Sequence, residues 1–245
     1  MFRKRKIPVL LLKDNGLVKT VKFNKKNARY VGDPLNAVKI FNDLKADELI
    51  FLDINATNEN KTISYELVKD IGDEAFMPFA VGGGINNIKQ VEKILKLGAE
   101  RVVINTSAIM NKNLVGELVK EFGSSAVIVS LDIKKNLFGN YKLYHSAGKT
   151  KTNLSITEYL KFIEDQGVGE IFFQSIDNDG TYRGYDLELV KFISNNTRVP
   201  IIPCGGCCSF ENFNDLDNIS GVNAYAAGSV FVFFGPRKAV LINYP

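Results

Sequence analysis

The sequence predicts an α/β fold: a single (β/α)8 TIM barrel built from two half-barrel repeats. Three observations predict it. Eight short, mostly apolar runs alternate with amphipathic segments along 245 residues, an ordinary length for one such barrel. The runs lack the alternation of a half-solvated sheet, as parallel strands covered on both faces do. Several segments recur at an offset of 121–124 residues, the mark of an internal duplication. A doubly wound open sheet is the alternative fold. No linker interrupts the alternation, so 1–245 is expected to be one closed domain.

The elements follow in order. The first strand is Ile7–Leu12, after Met-Phe-Arg-Lys-Arg-Lys. That apolar run is too short for a secretory segment, and no small-residue cleavage site follows it. A long, lysine-rich connection from Lys13 to Gly32 comes next. Its glycine and asparagine content suits a mobile lid, or simply a solvated loop. Asp33-Pro34 is an N-cap followed by proline at the first helical position, opening a helix that runs to Leu44. Strands are expected at Glu48–Asp53, Met77–Val81 and Arg101–Asn105, with Gly98 stopping the helix that ends at Leu97. The fifth strand is Ala126–Asp132. A second long connection, Lys134 to Thr152, follows it and carries a small hairpin at Phe138-Gly139-Asn140-Tyr141. Ser155-x-x-Glu158 reads as a capping box. Glu170–Ser175, Pro200–Cys204 and Ala224–Ala227 complete the strands. Both long connections leave the carboxyl end of a strand, where barrel enzymes place their working loops.

Composition narrows the function. Net charge is +4, and apart from the Lys13–Arg29 cluster the basic residues are scattered. That suits an anionic small ligand better than a nucleic acid. No apolar run reaches the roughly 18 residues of a membrane span. The three cysteines, Cys204, Cys207 and Cys208, cluster within five residues. They point to a reducing, cytoplasmic setting and cannot staple a domain. They have no second ligand pair, and the sole histidine, His145, has no partner at ligand spacing, so no metal site is expected. Cys204 is expected to be buried in its strand. No nucleotide fingerprint is present, and no cofactor is expected.

The repeat carries a functional argument. Asp53 falls on Asp177, and Gly83-Gly84 on Gly205-Gly206. Asn105-Thr106 falls on Gly228-Ser229. Duplicated loops at strand ends suggest two phosphate sites on opposite sides of one mouth, since glycine lets backbone N–H groups approach phosphate oxygens. The first set is Gly83, Gly84, Asn105 and Thr106. The second is Asp179, Gly180, Gly205, Gly206, Gly228 and Ser229. Asp132 ends the fifth strand, where it could do acid–base work. Its repeat partner on the first strand is Leu11.

These segments together resemble the cyclase subunit of imidazole glycerol phosphate synthase, the HisF family. The matching text includes Leu12-Lys13-Asp14 with Lys19, Glu48-Leu-Ile-Phe-Leu-Asp-Ile54, Phe79-Ala-Val-Gly-Gly-Gly-Ile85, Gly98-Ala-Glu-Arg-Val-Val-Ile-Asn-Thr106, Ser175-Ile-Asp-Asn-Asp-Gly-Thr181 and Tyr185-Asp186. The resemblance runs from Lys4 to about Phe233. It implies a lyase-type cyclase of histidine biosynthesis, paired with a HisH-like glutaminase. Ammonia from that subunit would cross the barrel and close an imidazole ring on a phosphorylated intermediate at the mouth. Two strand-end aspartates and a first-loop lysine act there. Asp132 and Lys19 match, whereas Leu11 stands where the other aspartate belongs. Gln174 and Cys204 replace small hydroxyl residues, and the usual long final helix is missing. The family's ammonia gate maps onto Arg5, Glu48, Arg101 and Glu170, with acidic Glu100 near the gate as a candidate glutaminase contact. The pattern looks like a HisF paralogue of lipopolysaccharide and other surface-glycan gene sets, which passes ammonia to a sugar-amidating enzyme. A working cyclase, with Asp14 or another group replacing the lost acid, is the main alternative. A non-catalytic scaffold is the third.

Overall fold

A computed structural model describes residues 3–245. Met1 and Phe2, the start of the segment read for a leader, lie outside the described residues. Eight parallel strands form the barrel: β1 (Arg5–Lys13), β2 (Leu49–Asp53), β3 (Phe79–Gly82), β4 (Arg101–Ile104), β5 (Val127–Lys135), β6 (Glu170–Ser175), β7 (Ile201–Cys204) and β8 (Ala224–Ala227). Each pairs with the next from β1 through β7. β8 pairs with β1 in register Arg5↔Ala224. The ring closes between β7 and β8, where the Ile201 N–H donates to the Gly221 carbonyl and the Asn223 N–H to the Ile201 carbonyl. The open sheet is therefore excluded.

Alternation along each strand separates two cores. On β1, Ile7 and Val9 point into the barrel with Ile50, Val103, Ile128, Phe172 and Ile202. Leu10 and Leu12 point outward, into the layer shared with the helices. Both faces are apolar, so the strands read as continuous hydrophobic runs. The helices are α1 (Pro34–Asp43), α2 (Tyr65–Glu74), α3 (Ile88–Lys96), α4 (Thr106–Met110), α5 (Leu114–Phe122), α6 (Ile156–Asp165), α7 (Leu187–Ser194) and α8 (Ser229–Val232). Asp33 caps α1 by accepting from the Asn36 N–H, with Pro34 at its first position. Gly98 follows α3 at φ +104°. There its Cα packs on Gly72 of α2, which leaves no room for a side chain.

Two expectations change. The Ser155 capping box does not form: Ser155 stands at the N-cap of α6, but its hydroxyl meets Thr157 instead of the backbone. The box that does form is Ser209 with Asn212, opening a 3₁₀ segment (Phe210–Leu216) that replaces a helix between β7 and β8. The lysine-rich first connection is ordered. Gly16–Lys19 pairs antiparallel with β1, and Arg29–Gly32 pairs with Gly16–Lys19. The second connection repeats the device, with Tyr141–His145 folded back on β5. The strands that begin the two half-barrels are thus both nine residues long and both continue into a hairpin. After α8 the chain forms a strap: the Asn243 N–H donates to the Phe231 carbonyl, and the Tyr244 hydroxyl reaches the Lys6 carbonyl.

Candidate functional site

The amino-terminal end of the barrel carries a closed ring of charge. Arg5 Nη1 donates to Glu48 Oε2 at 2.6 Å, and its Nη2 donates to Glu170 Oε1. Arg101 Nη1 donates to Glu170 Oε2 at 2.5 Å and lies 3.5 Å from Glu48 Oε1. Asn223 Nδ2 adds a bond to Glu170 at 2.8 Å. Each residue starts or just precedes a strand, so the first inward side chain of four strands meets on the axis. Glu48 is 1 % exposed and Glu170 8 %. Buried carboxylates persist only when paired, and the two guanidiniums supply the pairing. Burial still raises Glu48, with Arg101 and Arg5 pulling it back. Glu100 lies exposed beside the ring.

The opposite end is the mouth. A cavity of about 470 Å³ opens there on the first-half side. Gly83, Gly84, Asn105 and Thr106 line it, together with Leu11 and Asp132. Gly84 has φ +65°, and a Cβ on it would fall within the Lys61 carbonyl. Its backbone is thus demanded by packing as well as by any ligand. Asn105 Nδ2 donates to the Ser130 carbonyl at 3.0 Å, and Thr106 Oγ1 accepts the Ser146 N–H at 3.0 Å. Those two side chains are engaged within the protein.

Asp179, Gly180, Gly205, Gly206, Gly228 and Ser229 line a second cavity, of only about 20 Å³. Leu11 and Gln174 border both cavities. Lys19 enters the second cavity from the first connection. Its ammonium donates to the Val9 carbonyl, and a Cβ on Gly228 would collide with it. Burial lowers Lys19 to about 8, although Asp179 holds it up. Asp179 ties the connection down: its carbonyl accepts the Lys22 N–H at 2.9 Å, and its carboxylate accepts from the Phe23 N–H and the Thr20 hydroxyl.

Asp132 is 5 % exposed. Burial pushes its carboxyl up to about 7, Asp179 pushes further, and the Gly148 N–H opposes. A carboxyl poised there can take or give a proton near neutrality. Leu11, on β1, faces the same cavity and can do neither. Asp14 sits exposed at the turn after β1, with φ +51°, away from the cavity lining. Cys204 is buried in β7 as expected, and burial pushes its thiol up. Among the described residues the His145 ring hydrogen-bonds only Ser146, through Nδ1. Among those residues no group of three or more His, Cys, Asp or Glu could hold a metal ion. No helix there is long and apolar enough to cross a membrane.

Sequence reasoning missed the lysines around the larger cavity. Lys25, Lys61 and Lys149 come from three loops and converge on the segment after β2. Lys25 donates to the Ile54 carbonyl and to Asn55 Oδ1, and Lys149 donates to Asn58 Oδ1. The Lys13–Arg29 cluster signalled Lys25. Nothing in the sequence signalled the other two.

The fold and site define a closed (β/α)8 barrel with a ring of charge at its amino-terminal end and a glycine-framed, acid-bearing mouth at the other. The family model described as "Histidine biosynthesis protein" matches residues 5–235. A Pseudomonas aeruginosa protein provisionally named imidazole glycerol phosphate synthase subunit hisF2 is 47% identical, covering 100% of this chain and 97% of that one. A Vibrio vulnificus protein provisionally named subunit hisF3 is 44% identical, covering 100% and 94%. The imidazole glycerol phosphate synthase subunit HisF of Alkaliphilus metalliredigens is 38% identical, covering 94% and 91%. The chain belongs to the histidine biosynthesis protein family and is HisF-like, similar over its whole length to proteins named as HisF subunits of imidazole glycerol phosphate synthase.

Proposed function

We propose that this chain, acting as one domain, receives ammonia from a glutaminase subunit and carries it to a mouth that holds a phosphorylated ligand. It has little or no ring-closing activity of its own and passes the ammonia on for the amidination of a surface-glycan sugar. The observation that carries this reading is the pairing of a complete charge ring with an incomplete acid pair. Between ring and mouth the interior is lined by Ile7, Ile50, Val103, Ile128 and Phe172. An apolar passage admits neutral ammonia and penalises ammonium, which would lose its hydration there. At the mouth, ring closure needs one group to give a proton and another to take one. Asp132 can serve as either, and Leu11 as neither. The numbered, provisionally named relatives at 47% and 44% resemble this chain more than the HisF at 38% does. That ranking also favours a divergent branch.

A second reading, a working cyclase of histidine biosynthesis, has one observation in its favour. Asp179 is a second buried acid, pushed up to about 6 by burial, and its charge is felt by Asp132. Against it, Asp179 is engaged by Thr20 and Phe23.

The test is to mix the chain with its cognate glutaminase and assay cyclisation of the ribosyl-aminoimidazole substrate, with glutamine and separately with free ammonium. Complex formation and glutamine hydrolysis without cyclisation support the conduit. Turnover with both nitrogen sources makes the chain a cyclase and overturns it. Failure to bind any glutaminase or to move ammonia leaves a scaffold.

A further inference from the structure

The two halves of the mouth keep the same glycine framework but differ in what they can admit. Gly83-Gly84 and Gly205-Gly206 all have positive φ, and each pair packs against the backbone beside it. The first-half cavity has a volume of about 470 Å³, the size of a small-molecule site. The second, at about 20 Å³, has room for roughly one water. The protein fills it with its own ammonium, that of Lys19, set between the Val9 carbonyl and Gly228. The plug is fixed from outside. Lys22, Phe23 and Thr20 bond Asp179, and the Thr20 carbonyl lies where a Gly180 side chain would go.

Positive charge is distributed the same way. Lys25, Lys61 and Lys149 come together on the loop after β2, from three separate connections. Lys25 and Lys149 meet only neutral oxygens there. Lys25 is held below its ordinary range by burial first and then by Lys149. Lys61 is bridged to Glu59 at 3.3 Å, so Lys25 and Lys149, bonded only to neutral oxygens, are the cations whose field favours an anion there. The single lysine of the second cavity faces Asp179 instead.

We infer that the mouth accepts a ligand with one terminal phosphate, seated in the first-half cavity against Lys25 and Lys61, and that Lys19 closes the second phosphate position. This rests on the reading that the mouth binds a phosphorylated ligand, and it narrows that ligand to a sugar monophosphate or a compound of similar size. A bisphosphorylated substrate gains nothing from its second phosphate.

The experiment is calorimetric titration of the full chain with inorganic phosphate, ribose 5-phosphate and ribulose 1,5-bisphosphate, together with amide chemical-shift mapping. The expected result is that the two sugar phosphates bind within about three-fold of each other. Shifts should fall on Gly83, Gly84 and Thr106, and Lys25→Gln and Lys61→Gln should each weaken both ligands about ten-fold. Tighter binding of the bisphosphate by roughly ten-fold or more, with shifts at Gly206 and Gly228, overturns the one-phosphate inference while leaving a phosphorylated ligand standing. Absence of binding by all three probes overturns the phosphorylated-ligand reading itself, and the inference with it.

Discussion

Replacing Asp132 with asparagine should stabilise this protein, and should do so only above a definable pH. The side chain is buried, and among the described residues no cation is given as a direct partner. Its carboxyl rises from 3.8 to about 7. Between those values the folded chain holds a proton that the unfolded chain has released. Stability therefore falls as pH rises through that window and levels off above it. At 1.36 kcal/mol per unit, a shift of that size is about 4 kcal/mol. Asparagine keeps the shape and removes the ionisation, so it recovers that loss. Asp179 modifies the figure: it raises Asp132 by its own charge, so the double variant Asp132→Asn with Asp179→Asn should give less than the sum of the singles. The assay is urea unfolding of both proteins at half-unit steps from pH 4 to 8.5. Asp132→Asn should match the wild type near pH 4 and exceed it by about 2–4 kcal/mol above pH 7.5. An asparagine variant that is neutral or weaker at pH 8.5, or stabilised equally at every pH, would refute the argument. The carboxyl would then be ionised at little cost, and its suitability for proton transfer at neutrality would go too.

Four further variants test the same structure. Glu170→Gln removes the charge that Arg5, Arg101 and Asn223 all address; it should cost about 2–4 kcal/mol in denaturant unfolding. The same variant should lower glutamine-dependent relative to ammonium-dependent amidation in the complex. Gly84→Ala forces a Cβ into the Lys61 carbonyl and should cost about 2–4 kcal/mol, measured by thermal unfolding. Gly123→Ala, in open space but at φ +84° and ψ 156°, a conformation that essentially only glycine adopts, should cost about 1–3 kcal/mol. Leu11→Asp adds a carboxyl to the cavity that holds Asp132. It should cost about 1–3 kcal/mol at pH 8 and raise ring-closing turnover if Leu11 is the sole defect.

Much of the barrel was legible because its rule is simple. Strands buried on both faces must be apolar throughout, and Glu170–Ser175 and Ala224–Ala227 have the same bounds in sequence and structure. The charge ring was legible only through resemblance. Arg5, Glu48, Arg101 and Glu170 are spread over 166 residues, and nothing local says that the first inward side chains of four strands will meet. Ser155 shows the opposite limit, since its capping pattern is right but its hydroxyl found a closer partner in Thr157. The first connection was misread in kind. Leu17 and Val18 are buried because the strand before them continues straight into a hairpin, whose turn, with Asp14 and Asn15 at positive φ, is signalled by Asn15-Gly16 between apolar runs.

The difference between the two cavities was beyond sequence reading for a stronger reason. The repeat places Gly83-Gly84 on Gly205-Gly206 and so predicts two equal sites. Equality of frame is not equality of space. The second-half cavity is filled by Lys19, a residue of the first half, arriving from the connection after β1, the strand that pairs with β8, and that connection is held by Asp179 of the second half. A duplicated fold can thus specialise its two copies through one contact between them, without altering either frame. Leu11 lies at the same junction, bordering both cavities, where an acid would be flanked by Lys19 on one side and Asp132 on the other. A leucine there offers no proton-transfer group and, among the described residues, leaves Asp132 as the sole buried carboxyl lining the larger one. If Lys19 closes the second phosphate position as inferred, that closure and the loss of the acid pair meet at one junction of the mouth, where Leu11 borders both cavities.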